Sequence, residues 1–136
     1  MGDYQEAYLA LEEAKSQKGL EAYLYLGKAY EATGDYNYAS SVYNSYLAKH
    51  VADGRIYNQL GLCEMQKKQY AKALDAFQKG LETGDKSVLQ SLQFNEIVAY
   101  EHMGEFKKAA VLMENYLKTY PDDEKAKREY EFLVSR

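Results

Sequence analysis

Three side chains in the sequence belong to the types that most often do acid–base or nucleophilic work near neutral pH: His50, His102 and Cys63. The two histidines share no metal-ligand spacing, and His50 falls near the end of a helical stretch, where a cation complements the helix dipole. Cys63 is the only cysteine, which excludes an intramolecular disulfide and a cysteine metal cluster. It follows Gly61-Leu62 with no Cys-His arrangement around it, so it reads as a small packing residue rather than a nucleophile. Glu12-Glu13 and Asp122-Asp123 are adjacent pairs, which on a helix point in different directions instead of at one substrate. Lys67-Lys68 and Lys107-Lys108 fall near turns beside acidic residues and read as solvated surface. The sequence has no Gly-rich phosphate loop, no His-Glu-x-x-His and no Gly-x-Ser-x-Gly. No catalytic residue, metal ligand or cofactor is therefore expected.

What must position these residues is a helical chain of one domain. At 136 residues the sequence is long enough to bury a core without staples. Its 15 tyrosines and no tryptophan predict a core filled by phenol rings whose hydroxyls reach the surface. A single proline, Pro121, points to helices joined by short turns. The net charge is -4 and the 17 basic residues are scattered; a polyanion requires a positive stripe, so nucleic acid is disfavoured. No apolar run approaches the roughly 18 residues of a membrane span, and no signal-peptide pattern opens the chain.

The strongest signal is internal repetition. Tyr23, Leu26, Gly27, Tyr30, Gly34, Tyr36, Ala39 and Tyr43 are answered 34 positions later by Tyr57, Leu60, Gly61, Glu64, Lys68, Tyr70, Ala73 and Phe77. A looser copy, shifted by a further 36, runs through Ile97, Tyr100, Gly104, Phe106, Ala109 and Met113 and closes on Pro121. A partial copy opens the chain with Gly2, Asp3, Tyr4, Ala7, Leu11 and Ala14. Beginning in mid-repeat is expected of a segment of a longer protein.

These residues resemble the tetratricopeptide repeat. The first helix of that repeat carries an aromatic, Leu-Gly and Tyr, here Tyr23, Leu26-Gly27 and Tyr30. Its second begins at a Gly-Asp-Tyr turn and carries Ala and an aromatic, here Gly34-Asp35-Tyr36, Ala39 and Tyr43. The resemblance implies an all-α, right-handed superhelical solenoid of antiparallel helix pairs, about eight helices in all. The expected divisions are a half repeat at 1–19, repeats at 20–53, 54–89 and 90–121, and a capping helix at 122–136. In the third repeat Ile97 replaces the glycine and Gln93 the aromatic.

Helices are expected at about 4–16, 20–33, 36–49, 55–66, 70–83, 88–103, 106–119 and 122–134. Asp3 with Glu6 forms a capping box for the first, and the apolar stripe of Tyr4, Ala7, Tyr8, Leu11 and Ala14 lacks its partner helix. Lys68-Gln69 replaces Gly-Asp, so that turn has lost its glycine and its cap. The linker 83–87 is two residues longer than the family spacing, with Gly84 stopping one helix and Asp85 capping the next. The last helix is charged on most faces and keeps Ala126, Tyr130, Leu133 and Val134 for packing, as a solvating end of a stack requires.

The resemblance places the binding surface on the concave face, lined by the first helix of each pair. In the glycine register this face presents Glu21, Leu24, Lys28 and Glu31, then Arg55, Asn58, Leu62 and Met65, then Ser91, Phe94, Val98 and Glu101. Leu24, Lys28, Asn58, Leu62, Met65, Phe94, Val98 and Glu101 are the candidate partner-binding residues, with Leu62, Met65, Phe94 and Val98 as an apolar strip bordered by charge. One subset of the family grips the acidic chaperone carboxyl terminus with a Lys, Asn, Asn, Lys, Arg clamp. The matching positions hold Leu24, Lys28, Gln59, Ser91 and Asn95 in one register and Asn58, Leu62, Asn95, Lys125 and Glu129 in the other, so that ligand is not carried over. Tyr25 and Tyr38 lie off the core stripe but are too few for a sugar platform.

The expected function is thus a non-catalytic scaffold that binds a protein or peptide in the groove. The alternative is a structural module whose open N-terminal helix makes a homodimer through Tyr8 and Leu11, and a third class places a catalytic domain outside this segment.

Overall fold

In the computed structural model, residues 19–136 are described, and they form seven α-helices and one 3-10 turn with no strand among them. The helices are α1 (Leu20–Ala32), α2 (Tyr36–Lys49), α3 (Gly54–Gln66), α4 (Tyr70–Glu82), α5 (Leu89–His102), α6 (Phe106–Thr119) and α7 (Glu124–Val134). The helix expected at 4–16, with its capping box and the Tyr8 and Leu11 contact, lies outside the described residues. Each helix packs chiefly on its neighbours in sequence, and α3 also touches α5. The result is a helical-repeat solenoid.

One turn recurs three times. After α1, Gly34 adopts φ 80°, and the Asp35 amide donates back to the Tyr30 carbonyl at 2.9 Å. After α5, Gly104 adopts φ 78°, and the Glu105 amide donates to the Tyr100 carbonyl at 2.9 Å. After α3 the same turn is made by Lys68 at φ 62°, with the Gln69 amide donating to Glu64 at 2.9 Å. The turn has thus survived the loss of its glycine, with a lysine held in the left-handed region that disfavours a β-carbon. The cap is absent, since Gln69 makes no side-chain bond to α4, whereas Asp35 accepts from the Tyr38 amide at 3.3 Å.

The lengthened linker holds the 3-10 turn Lys86–Val88. Asp85 starts it by accepting from the Ser87 amide at 3.0 Å, and Gly54 leaves room for it: a β-carbon there would fall 2.9 Å from Asp85 Cβ. Tyr120-Pro121-Asp122 delays α7 by two residues relative to the expected start, because Asp123, rather than helical itself, caps the helix by accepting from Ala126 at 3.1 Å.

The core is a ladder of matched pairs between the two helices of each repeat. Gly27 faces Tyr43 and Gly61 faces Phe77, with both rings fully buried. In the third repeat the pair is Ile97 and Met113, also buried in one cluster. Volume lost from the aromatic position is returned at the glycine position, and the flexible thioether adapts to the remaining space. Tyr23 and Tyr43 are wholly enclosed rather than reaching the surface. Tyr43 instead donates its hydroxyl to Glu31, which also accepts from Gln59 Nε2 at 3.1 Å. That carboxylate ties α1, α2 and α3 together. Val134, expected to pack, is 55% exposed, while Ala126 and Leu133 hold α7 down.

Candidate functional site

The reactive side chains are used for packing. Cys63 is fully buried, and burial, with the Glu31 charge second, pushes its thiol up to about 12. A thiol held in that neutral form is neither a ready nucleophile nor a ready metal ligand. His50 stacks on Tyr46 with ring centroids 4.6 Å apart, and His102 stacks on Tyr70 at 4.8 Å. Among the described residues no three of His, Cys, Asp and Glu come together as a metal would require.

The face shared by α1, α3, α5 and α7 is built differently. Side chains bridge successive helices along it. Arg55 reaches Glu21 at 3.4 Å between α3 and α1, Asn95 donates to Asn58 at 2.8 Å between α5 and α3, and Lys125 Nζ lies 5.3 Å from the Phe94 ring centre between α7 and α5. The first pair is exposed and contributes little. The amide pair is part-buried and fixes the spacing of its helices.

The eight candidate residues fall into three groups on this frame. Leu24 is buried among the core side chains and Asn58 is buried under its bond to Asn95. Lys28 is exposed. Leu62, Met65, Phe94, Val98 and Glu101 are half-buried, with Leu62 and Met65 leaning on the core cluster of α4 and α5. Glu31, also expected on this face, is engaged by Tyr43 and Gln59 as described above.

Phe94, Val98 and Glu101 line a hollow of about 370 Å³ between α5 and α7. Its far wall is Lys125, Glu129 and Phe132, which the sequence reading assigned to a solvating end helix. The signal for them was present: Lys125 and Glu129 are four residues apart, on one face of a helix whose N-cap aspartate matches Asp53 before α3. Glu101 and Glu129 both line the hollow, one from each helix. Burial first, and the Glu129 carboxylate second, push Glu101 up to about 8.

Tyr116 secures the α7 wall. Its hydroxyl donates to Asp123 at 2.6 Å and accepts from Gln90 Nε2 at 3.0 Å, joining α6, the α7 cap and α5. The bond from Tyr116 holds the Asp123 carboxyl below its ordinary range, and burial followed by that same bond raises the Tyr116 phenol to about 12.

Comparison with known proteins agrees with this architecture. Models described as tetratricopeptide repeat match residues 21–50, 54–84 and 93–123. The crystal structure of MamA superposes with a TM-score of 0.81 at 23% identity, covering 98% of this chain and 78% of that one. The second TPR domain of the human RPAP3 protein, solved by NMR in complex with the HSP70 peptide SGPTIEEVD, superposes with a TM-score of 0.72 at 14% identity, covering 96% of this chain and 99% of that one. At such identities the likeness is one of fold. No curated protein sequence matches the chain.

Proposed function

The chain belongs to the tetratricopeptide repeat family, and from that premise we propose that it is a protein-interaction scaffold holding a peptide segment of its partner along the concave face. The observation that carries this reading is the half-buried strip of Leu62, Met65, Phe94 and Val98, which runs from α3 to α5 and opens into the hollow against α7. Apolar side chains left accessible in a row, beside fixed polar groups such as Asn95 and Lys125, suit a segment that buries a few anchors and is oriented by hydrogen bonds. The peptide held by the RPAP3 domain supports the class of ligand. The fully buried thiol of Cys63 and the ring-stacked histidines support a role without catalysis, as is typical of the family.

Selection from a displayed peptide library tests this, with the native chain set beside a Leu62→Glu, Phe94→Glu variant whose fold is verified by circular dichroism. Peptides retained by the native chain and lost by the variant place the site on the strip. Equal retention by both would move it elsewhere on the surface.

A further inference from the structure

We infer that the hollow between α5 and α7 is a seat for an arginine side chain of the bound peptide. This deepens the groove-binding reading and rests on it. The walls are aromatic and aliphatic, from Phe94, Val98 and Phe132, and two carboxylates, Glu101 and Glu129, face each other across the space. Among the described residues neither carboxylate is in an ion pair. Lys125, which lines the hollow one turn before Glu129, places its ammonium over the Phe94 ring. The two carboxylates are therefore left with each other, and burial with mutual repulsion keeps a proton on Glu101 near neutral pH. An incoming guanidinium supplies the missing charge.

The rings point to the same ligand independently of the carboxylates. Arg136 lays its guanidinium 3.9 Å from the Phe106 ring centre and 5.1 Å from that of Phe132, two rings that line the hollow. Lys125 on Phe94 is a second cation held on the face of a ring that lines the hollow. These contacts show that the rings present their negative faces to cations. A guanidinium stacks its plane on a ring and directs a fork of N–H donors at carboxylates, matching both features at once, whereas an ammonium satisfies them only as a point charge. A dehydrated divalent ion needs six or more oxygen ligands, and beside the two carboxylates the lining named above is carbon and an ammonium. A carboxylate-terminated peptide would add a third negative group beside Glu101 and Glu129.

The test uses peptides from the library selection and replaces each basic position by its neutral analogue, citrulline for arginine. The expected result is an arginine common to the selected peptides, whose conversion to citrulline weakens binding about tenfold or more on the native chain. The same change should have much less effect on a Glu101→Gln, Glu129→Gln variant, in which the carboxylates are replaced by near-isosteric amides. The citrulline comparison on the native chain needs no protein variant, so the proposal stays exposed to failure even if the double variant folds poorly. Peptides that lose affinity for Leu62→Glu, Phe94→Glu but are indifferent to citrulline would leave the groove as the binding site and overturn the arginine seat. Selection of lysine or of acidic termini in place of arginine would overturn it as well. If no peptide is retained, both the groove reading and the seat fall.

Discussion

A β-carbon placed on Gly27 would fall 2.2 Å from Cε1 of the Tyr43 ring. The ring lies directly on the backbone of α1, and its hydroxyl is tied to Glu31, so it cannot swing aside without giving up that bond. Gly27→Ala is expected to lower stability by about 1–3 kcal/mol through overpacking, although alanine is the better helix former. Urea denaturation measures it, and an unchanged midpoint would mean that the ring has another place to go.

The second repeat allows a sharper version. Gly61 meets Phe77 at the same 2.2 Å, while the third repeat solves the equivalent contact with Ile97 and Met113. Gly61→Ile alone should be severely destabilising and Phe77→Met alone should leave a void. Made together they should recover part of the loss, with a coupling on the order of 1–3 kcal/mol in a double-mutant cycle. Additive effects would show that the third repeat relies on neighbours other than this pair.

Lys68 offers a gain. It is the one non-glycine at positive φ among the described residues, in a turn that Gly34 and Gly104 make elsewhere. Lys68→Gly removes the strain of a β-carbon in the left-handed region, offset in part by the greater freedom of glycine in the unfolded chain. A net stabilisation of roughly 0.5–1 kcal/mol is expected. Lys68→Ala, which keeps the β-carbon, should not reproduce it.

These positions also show what the sequence made legible. The 34-residue period located the glycines and the rings they face, because a close approach between helices tolerates few residue types and so leaves a pattern in one chain. It did not reveal that Glu31 would turn inward, since a carboxylate at a groove position looks solvated until the Tyr43 hydroxyl reaches it. Nor did it reveal α7 as a wall. Charges on most faces of a helix resemble a solvent cap, and only the packing of Ala126 and Leu133 turns Lys125, Glu129 and Phe132 toward α5. The turn at Lys68 lacks its glycine and its cap as the sequence indicates, and the backbone hydrogen bond from Gln69 to Glu64 holds it nonetheless.

Glu101 makes stability depend on pH in an unusual direction for a carboxylate. Its folded-state value of about 8 lies above the ordinary 4.5, so between these values the folded chain binds more protons than the unfolded one. The contribution is fully present below the lower value and is lost as pH rises through the upper one. The groups sharing the hollow are His102 on α5 and Lys125 and Glu129 on α7. Thermal midpoints should therefore fall from mildly acidic to mildly alkaline pH, and Glu101→Gln should flatten the decline. Some slope should remain, because burial also raises Glu96. A variant with the native slope would show that Glu101 titrates normally.

Tyr116 links stability of the last helix to the proposed seat. Its hydroxyl holds Asp123, which in turn caps α7 through the Ala126 amide, so removing one oxygen atom loosens the wall that carries Lys125, Glu129 and Phe132. Tyr116→Phe should cost about 1–2 kcal/mol, since the lost bond is to a charged acceptor that water can partly re-solvate. Amide hydrogen exchange should quicken through α7 while α1 to α4 keep their protection, because each helix in the stack leans mainly on its neighbours. An arginine-bearing peptide selected on the native chain should bind this variant more weakly, and its citrulline analogue should lose less, because the carboxylates no longer stand at a fixed separation. Uniform acceleration of exchange along the whole chain would instead mean that Tyr116 supports the global fold, and the local account of the α7 wall would fail.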